Sequence, residues 1–212
     1  MTNYNLEKFN LCENDITEEL FQKYKISKYL AIDTETMGLI HGRDRLCLIQ
    51  ICNESNLVSC IKITKDSCKA ARIKKLLEDQ EIMKIFHFAR FDIAALKCNL
   101  SINTQNIFCT KIASKIARTY TNKHGLKDLI QELLNIELDK SCQSSDWGSN
   151  DNLSSDQINY AANDVRYLIG AMKKLSIMLE REGRDQIAKN CFKVINVFSE
   201  LDIQHYSNIF EH

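Results

Sequence analysis

Proline is absent from the 212 residues, and glycine (six) and tryptophan (one) are scarce. Beside the many Ile, Lys and Asn residues, the missing proline reads as the imprint of an AT-rich coding genome and excludes no function. Surplus charge is missing too: 28 Lys and Arg balance 28 Asp and Glu. That excludes a protein that coats polyanions with its whole surface, so any grip on nucleic acid must come from a local patch. No stretch approaches the roughly 18 consecutive apolar residues of a membrane-spanning helix. The first ten residues are polar and lack the apolar core of a secretory signal, so a cytoplasmic location and no membrane partner are expected. Cys-x-x-Cys spacing is also absent. The nine cysteines are odd in number, and most sit in apolar runs such as Leu46 to Cys52. They read as small buried hydrophobes in a reducing compartment, not as disulfides or a metal cluster.

What is present suits one globular unit with a substantial core: 44% hydrophobic and 26% charged residues, with no internal repeat, linker or low-complexity segment. Residues 1–24 read as an N-terminal helical extension, with a short helix over Asp15 to Lys23. Tyr29 to Asp33, Leu46 to Cys52, Leu57 to Ile63 and Ile82 to Phe86 read as apolar strands, with a brief fifth at Ile107 to Cys109. Helices are expected over Ser67 to Glu78, Asp92 to Cys98, Lys111 to Arg118 and Gly125 to Leu134, then a polar loop over Ser141 to Asn152. Ser154 and Gln157 form a capping box that opens one helix running to about Glu182, stopped by Gly183. The tail from Arg184 to Phe210 reads as helical, in one or two pieces. Strands first, then strands alternating with helices, indicate an α/β domain with a mixed sheet.

Three acidic features stand out. Asp33 and Glu35 end the first strand, within Ile32-Asp33-Thr34-Glu35-Thr36-Met37-Gly38-Leu39. Strand alternation sends residues i and i+2 to one face, where two carboxylates need a cation or open water. Asp92 follows His87-Phe88-Ala89-Arg90-Phe91 and opens a helix; alone it reads as an N-cap. Tyr160 and Asp164 lie one helical turn apart on one face; alone they read as a polar edge. Hard divalent cations prefer oxygen ligands, and a two-metal phosphoryl-transfer site needs carboxylates converging from several elements.

Asp-Thr-Glu after an apolar strand, then His-Phe-Ala-Arg-Phe-Asp, then Tyr-x-x-x-Asp, in that order, resembles the three motifs of the DEDD superfamily of 3′-5′ exonucleases, tyrosine subclass. Its short ribonuclease D-like form is the nearest match. Asp44-Arg45-Leu46-Cys47-Leu48-Ile49-Gln50, His124-Gly125-Leu126-Lys127-Asp128-Leu129 and Ser144-Ser145-Asp146-Trp147 add to the likeness, which covers about residues 25 to 180. It implies a ribonuclease H-like fold, with an exonuclease domain over 25–183 and a helical C-terminal tail, 184–212, packed on it. It also implies two divalent ions, Mg²⁺ or Mn²⁺. Carried over, Asp33 bridges both ions, Glu35 and Asp164 hold the one that activates water, Asp92 supports the second, and Tyr160 orients the attacking water. The longer ribonuclease D enzymes carry helical RNA-binding domains beyond the position of Gly183, so the match is to their catalytic domain.

The expected partner is the 3′ end of a single-stranded nucleic acid, RNA favoured over DNA. Thr34, Met37, Gly38 and Leu39 are expected at its terminal nucleotide, with His87, Phe88 and Trp147 as further contacts. His87 has the alternative of satisfying backbone groups. Lys111, Lys115, Arg118, Lys123 and Lys127, with no acid among them, form either a phosphate-binding patch or a solvated helix face. Arg43 and Arg45 flank the first motif. The tail's Val194, Ile195, Val197, Phe198 and Leu201 pack on the domain or on a second copy in a homodimer. A DNA exonuclease and a non-catalytic binding module are the alternative readings. Such modules usually lose a carboxylate, and here all four and the tyrosine are present.

Overall fold

The computed structural model describes residues 9–65, 69–138, 145, 147–148, 153–206 and 208–210. Most of the expected loop over Ser141 to Asn152, including Asp146, and the expected helix start at Ser67 lie outside them.

The segment Leu46–Asn53 forms β3 and is buried at every position. Such a strand needs neighbours on both edges and cover on both faces, and the fold provides both. The sheet also contains β1 (Phe9–Glu13), β2 (Tyr29–Thr36), β4 (Val58–Lys62), β5 (Met83–Phe86) and β6 (Ile107–Cys109), in the order β1-β4-β3-β2-β5-β6. β3 runs antiparallel to β2 and β4; the pairs β1–β4, β2–β5 and β5–β6 are parallel. The mixed sheet is as expected.

Helices α1 (Glu18–Lys25) and α2 (Ala71–Glu78) pack on each other. α3 (Ala89–Leu100) lies on β2, β3, β5 and β6, while α6 (Ser155–Arg166) crosses β2, β3 and β4. α4 (Thr110–Ala117) and α5 (Leu126–Leu134) pack on α7 (Leu168–Arg181). The tail forms α8 (Asp185–Lys193), set against β6 and α4, and α9 (Ile195–Ile203), set along α3. α7 ends as expected at Gly183, whose φ of 65° admits a Schellman turn: Arg184 N–H donates to Leu179 O at 2.8 Å and Gly183 N–H to Glu180 O at 3.0 Å.

Two expectations need correction. The N-terminal segment is not wholly helical: Phe9–Glu13 is a parallel edge strand on β4. Only five residues long and half-exposed, it lacks the apolar run by which a strand shows itself. The single helix expected over 154–182 is two, interrupted at Tyr167. The apolar spacing continues across the break; both halves rest on β2, but α6 goes on to β3 and β4, whereas α7 goes on to β5 and α4.

Candidate active site

β2 pairs with β3 from Leu30 to Thr36, which sets Asp33 opposite Gln50 and Glu35 opposite Leu48. Both carboxylates project on the face that α6 covers. The position of α6 is fixed at its start by the expected capping box: Gln157 N–H donates to Ser154 Oγ at 3.2 Å, and Ser154 N–H to Gln157 Oε1 at 2.9 Å. Tyr160 and Asp164 follow on its buried side. One oxygen each from Asp33, Glu35 and Asp164 lie within 4.8 Å of one another. The Tyr160 hydroxyl donates to Asp164. Burial first, then the negative charges of Asp164, Glu35 and Asp33, hold its phenol far above the ordinary range, so it stays protonated.

Asp92 reaches the same strand from the other face. β2 pairs with β5 only along Tyr29 to Ala31, so beyond Ala31 that edge of β2 is open to the first turn of α3. There Thr34 Oγ1 donates to Asp92 Oδ1 at 2.7 Å, and the Thr34 backbone N–H adds a second bond. Burial raises the Asp92 carboxyl well above the usual carboxylate range despite these bonds. The structure thus brings Asp33, Glu35, Asp164 and Tyr160 together and ties Asp92 to their strand through Thr34.

The expected substrate contacts divide. Met37, Leu39 and Phe88 are exposed at 57%, 80% and 47%. Phe88 holds a left-handed conformation (φ 74°) just before α3, with Lys111 Nζ 4.3 Å from its ring centre. A bulky residue with positive φ is strained, and such strain gathers at functional sites. Gly38 is needed for close approach, since a Cβ there would meet Asp44 Oδ2 at 2.3 Å. Thr110 spends its hydroxyl proton on Phe86 O, so His87 Nδ1 donates to Thr110 Oγ1, at 3.0 Å. Thr34 differs from expectation: its side chain is buried and committed to Asp92. Trp147 is buried beside Tyr160, ring centres 6.2 Å apart, and its Nε1 has no partner among the described residues.

The basic patch is also corrected. Arg118 is fully buried, its guanidinium donating to both Glu132 oxygens, to Ser114 Oγ and to Lys123 O. Lys127 lies 3.8 Å from Glu137. Arg43 grips Asp44, and Arg45 donates to Ile63 O and Gly148 O, fastening the Trp147–Gly148 turn to the start of β3. Two further features escaped the sequence reading. One is the burial of Gln50 opposite Asp33: in the sequence Gln50 only closes the family-like segment Asp44 to Gln50 and carries no role. The other is the grip of α9 on α3 through Arg90 and Asp202, which no motif announces.

A family model described as 3′-5′ exonuclease matches residues 10–180. Ribonuclease D of Granulibacter bethesdensis is 33% identical over 156 residues, 74% of this chain and 39% of that protein. DNA polymerase I of Aquifex aeolicus is 32% identical over 81% of this chain and 28% of its own length. These curated relatives are therefore matched over well under half their length. Among solved structures, Brucella melitensis NrnC is 44% identical with a TM-score of 0.91, covering 97% of this chain and 99% of that one. The fold is ribonuclease H-like, and the site lies where a mixed sheet presents carboxylates to two flanking helices. The chain belongs to the 3′-5′ exonuclease family.

Proposed function

We propose that the chain is a divalent-metal-dependent 3′-5′ exoribonuclease with Asp33, Glu35, Asp92, Tyr160 and Asp164 as its catalytic set. The observation that carries this is the convergence of Asp33, Glu35 and Asp164 oxygens within 4.8 Å from two separate elements. Like charges so close repel unless a cation offsets them, and an all-carboxylate donor set fits Mg²⁺ or Mn²⁺. NrnC has been solved with bound Mg²⁺, at 42% identity, TM-score 0.90 and coverage of 97% and 99%, in support of that choice. Divalent ions held there supply Lewis-acid activation of water and charge stabilisation at the scissile phosphate. Asp33, Glu35 and Asp164 hold the ions, and Asp92, steadied by Thr34, completes the set. Tyr160, a protonated phenol anchored on Asp164, orients the attacking water instead of taking its proton.

Met37 and Leu39 offer exposed apolar surface to the terminal bases, and Phe88 offers a ring, on which stacking contributes about 1–3 kcal/mol per base. Lys111, held at Phe88, meets the phosphates. RNA is favoured by the relatives named Ribonuclease D and by the NrnC structure bound to pGG (43% identity, TM-score 0.89, coverage 97% and 100%). The second reading, a DNA exonuclease, is favoured by the likeness to DNA polymerase I. A time course on 5′-labelled RNA and DNA oligonucleotides, with Mg²⁺, Mn²⁺ or chelator, separates the two. We expect a metal-dependent descending ladder, faster on RNA. A faster ladder on DNA would support the second reading, and immediate internal cuts would overturn both.

A further inference from the structure

In the middle of β3, between Ile49 and Ile51, stands an amide. Gln50 is fully buried, and neither its Oε1 nor its Nε2 has a hydrogen-bond partner among the described residues. Burying a primary amide unpaired is costly, because both ends surrender water for nothing. Unsatisfied buried groups are few in folded proteins, and one with a function finds its partner when the site is filled.

The sheet register says where this amide sits. Gln50 lies opposite Asp33 on β2 and opposite Cys60 on β4. Residues directly opposite in an antiparallel pair share a face, with Cβ atoms about 5 Å apart. Gln50 is therefore on the face that α6 covers, beside the carboxylate at the centre of the proposed metal set. Its other register neighbour is a thiol that burial holds protonated, raised to about 12, and therefore a weak partner for an amide.

We propose that Gln50 is a positioning residue for Asp33: with ions in the cluster, its Nε2–H₂ group donates to the Asp33 carboxylate and fixes the direction in which Asp33 offers its oxygens. This rests on the exonuclease reading given above. The chemistry is that of outer-shell support. A carboxylate shared between cations must present its oxygens at set angles, and a hydrogen bond from a rigid neighbour removes the freedom to rotate away. A strand in the middle of a sheet is such a neighbour. The unpaired amide destabilises the metal-free fold and is satisfied only in the loaded site.

The experiment compares full-length wild type with Gln50→Met and Gln50→Leu, two apolar shapes, so that a packing fault in one is not taken for the result. Thermal unfolding is measured in chelator, and Mn²⁺ binding by titration calorimetry. Both variants should unfold in chelator at the wild-type temperature or above, since they remove an unpaired polar group. Both should bind Mn²⁺ about 10- to 100-fold more weakly, the usual loss for an outer-shell partner. Unchanged Mn²⁺ affinity would overturn the proposal. So would failure of both variants to fold in chelator, because the amide would then serve the metal-free structure. A wild type that takes up no Mn²⁺ would overturn the exonuclease reading itself, whereas equal binding by wild type and variants would remove only the role given to Gln50.

Discussion

Tyr160 is constrained by burial and by the carboxylates around it. Its phenol is raised by burial and by three carboxylates, and its hydroxyl donates to Asp164. A group held so firmly in its protonated form can aim a water but cannot accept the water's proton at neutral pH. Tyr160→Phe should therefore slow single-turnover cleavage about 100-fold while leaving Mn²⁺ affinity near wild type; Asp164→Asn should lower Mn²⁺ affinity as well. Equal losses of affinity in both would mean that Tyr160 has been given the wrong role. Arg118 makes the opposite point. In sequence it is one of five basic residues without an acid among them; in the fold it is buried against Glu132. Arg118→Ala should cost about 1–3 kcal/mol in urea unfolding through the hydrogen bonds lost with the guanidinium and leave the salt dependence of oligonucleotide binding unchanged. A shallower salt slope with unaltered stability would restore it to a phosphate site. Charge alone does not reveal which arginine is buried, because the partner Glu132 is fourteen residues away and joined only by the fold.

At the scale of elements, helix ends and carboxylate-bearing turns were legible because their signals are local. Ser154 and Gln157 announce α6, and Gly183 announces the end of α7. Beyond its chain neighbours, no atom of the described residues lies within 4 Å of a Cβ placed on Gly183, so Gly183→Ala tests the left-handed turn without a clash. It should cost about 1 kcal/mol, read as a lower midpoint in urea; no change would mean the turn is not held in solution. The meeting of Asp33, Glu35 and Asp164, with Tyr160 beside them, was legible for the same reason, each sitting at a strand end or on a helix face with its own short motif; their catalytic role is the proposal made above. Less of the sheet was legible. β1 pairs with β4 across some 45 residues of chain, and its half-exposed alternation differs little from a loop. The break at Tyr167 carries no proline or glycine; it falls where the chain, resting on β2 throughout, turns from β3 and β4 toward β5 and α4. Thr34 was expected at the substrate. Strand alternation already puts it on the face away from Asp33 and Glu35, but its bond to Asp92 could be seen only once α3 was placed.

Taken as a whole molecule, the chain builds its site where both faces of one sheet meet the end of β2. α6 brings Asp164 and Tyr160 to one face, and α3 brings Asp92 to the other. The tail steadies the second arrangement. Arg90, in the first turn of α3, pairs with Asp202 of α9, and Ser199 Oγ donates to Arg90 O at 2.9 Å. α9 thus braces the turn that carries Asp92. No helix among the described residues is long and apolar enough to cross a membrane. Of the seven described cysteines, all free thiols, Cys47, Cys52, Cys60 and Cys109 are the small buried hydrophobes expected, while Cys12, Cys98 and Cys191 are only partly buried.

The central claim is that carboxylates distant in sequence cage divalent ions on this sheet. Anomalous diffraction from crystals grown with Mn²⁺ tests it most directly, with Asp33→Asn as the control. The account predicts manganese peaks bounded by Asp33, Glu35 and Asp164 in the wild type, lost or much weakened in the variant. Wild-type crystals with manganese bound elsewhere and none between those three side chains would contradict it.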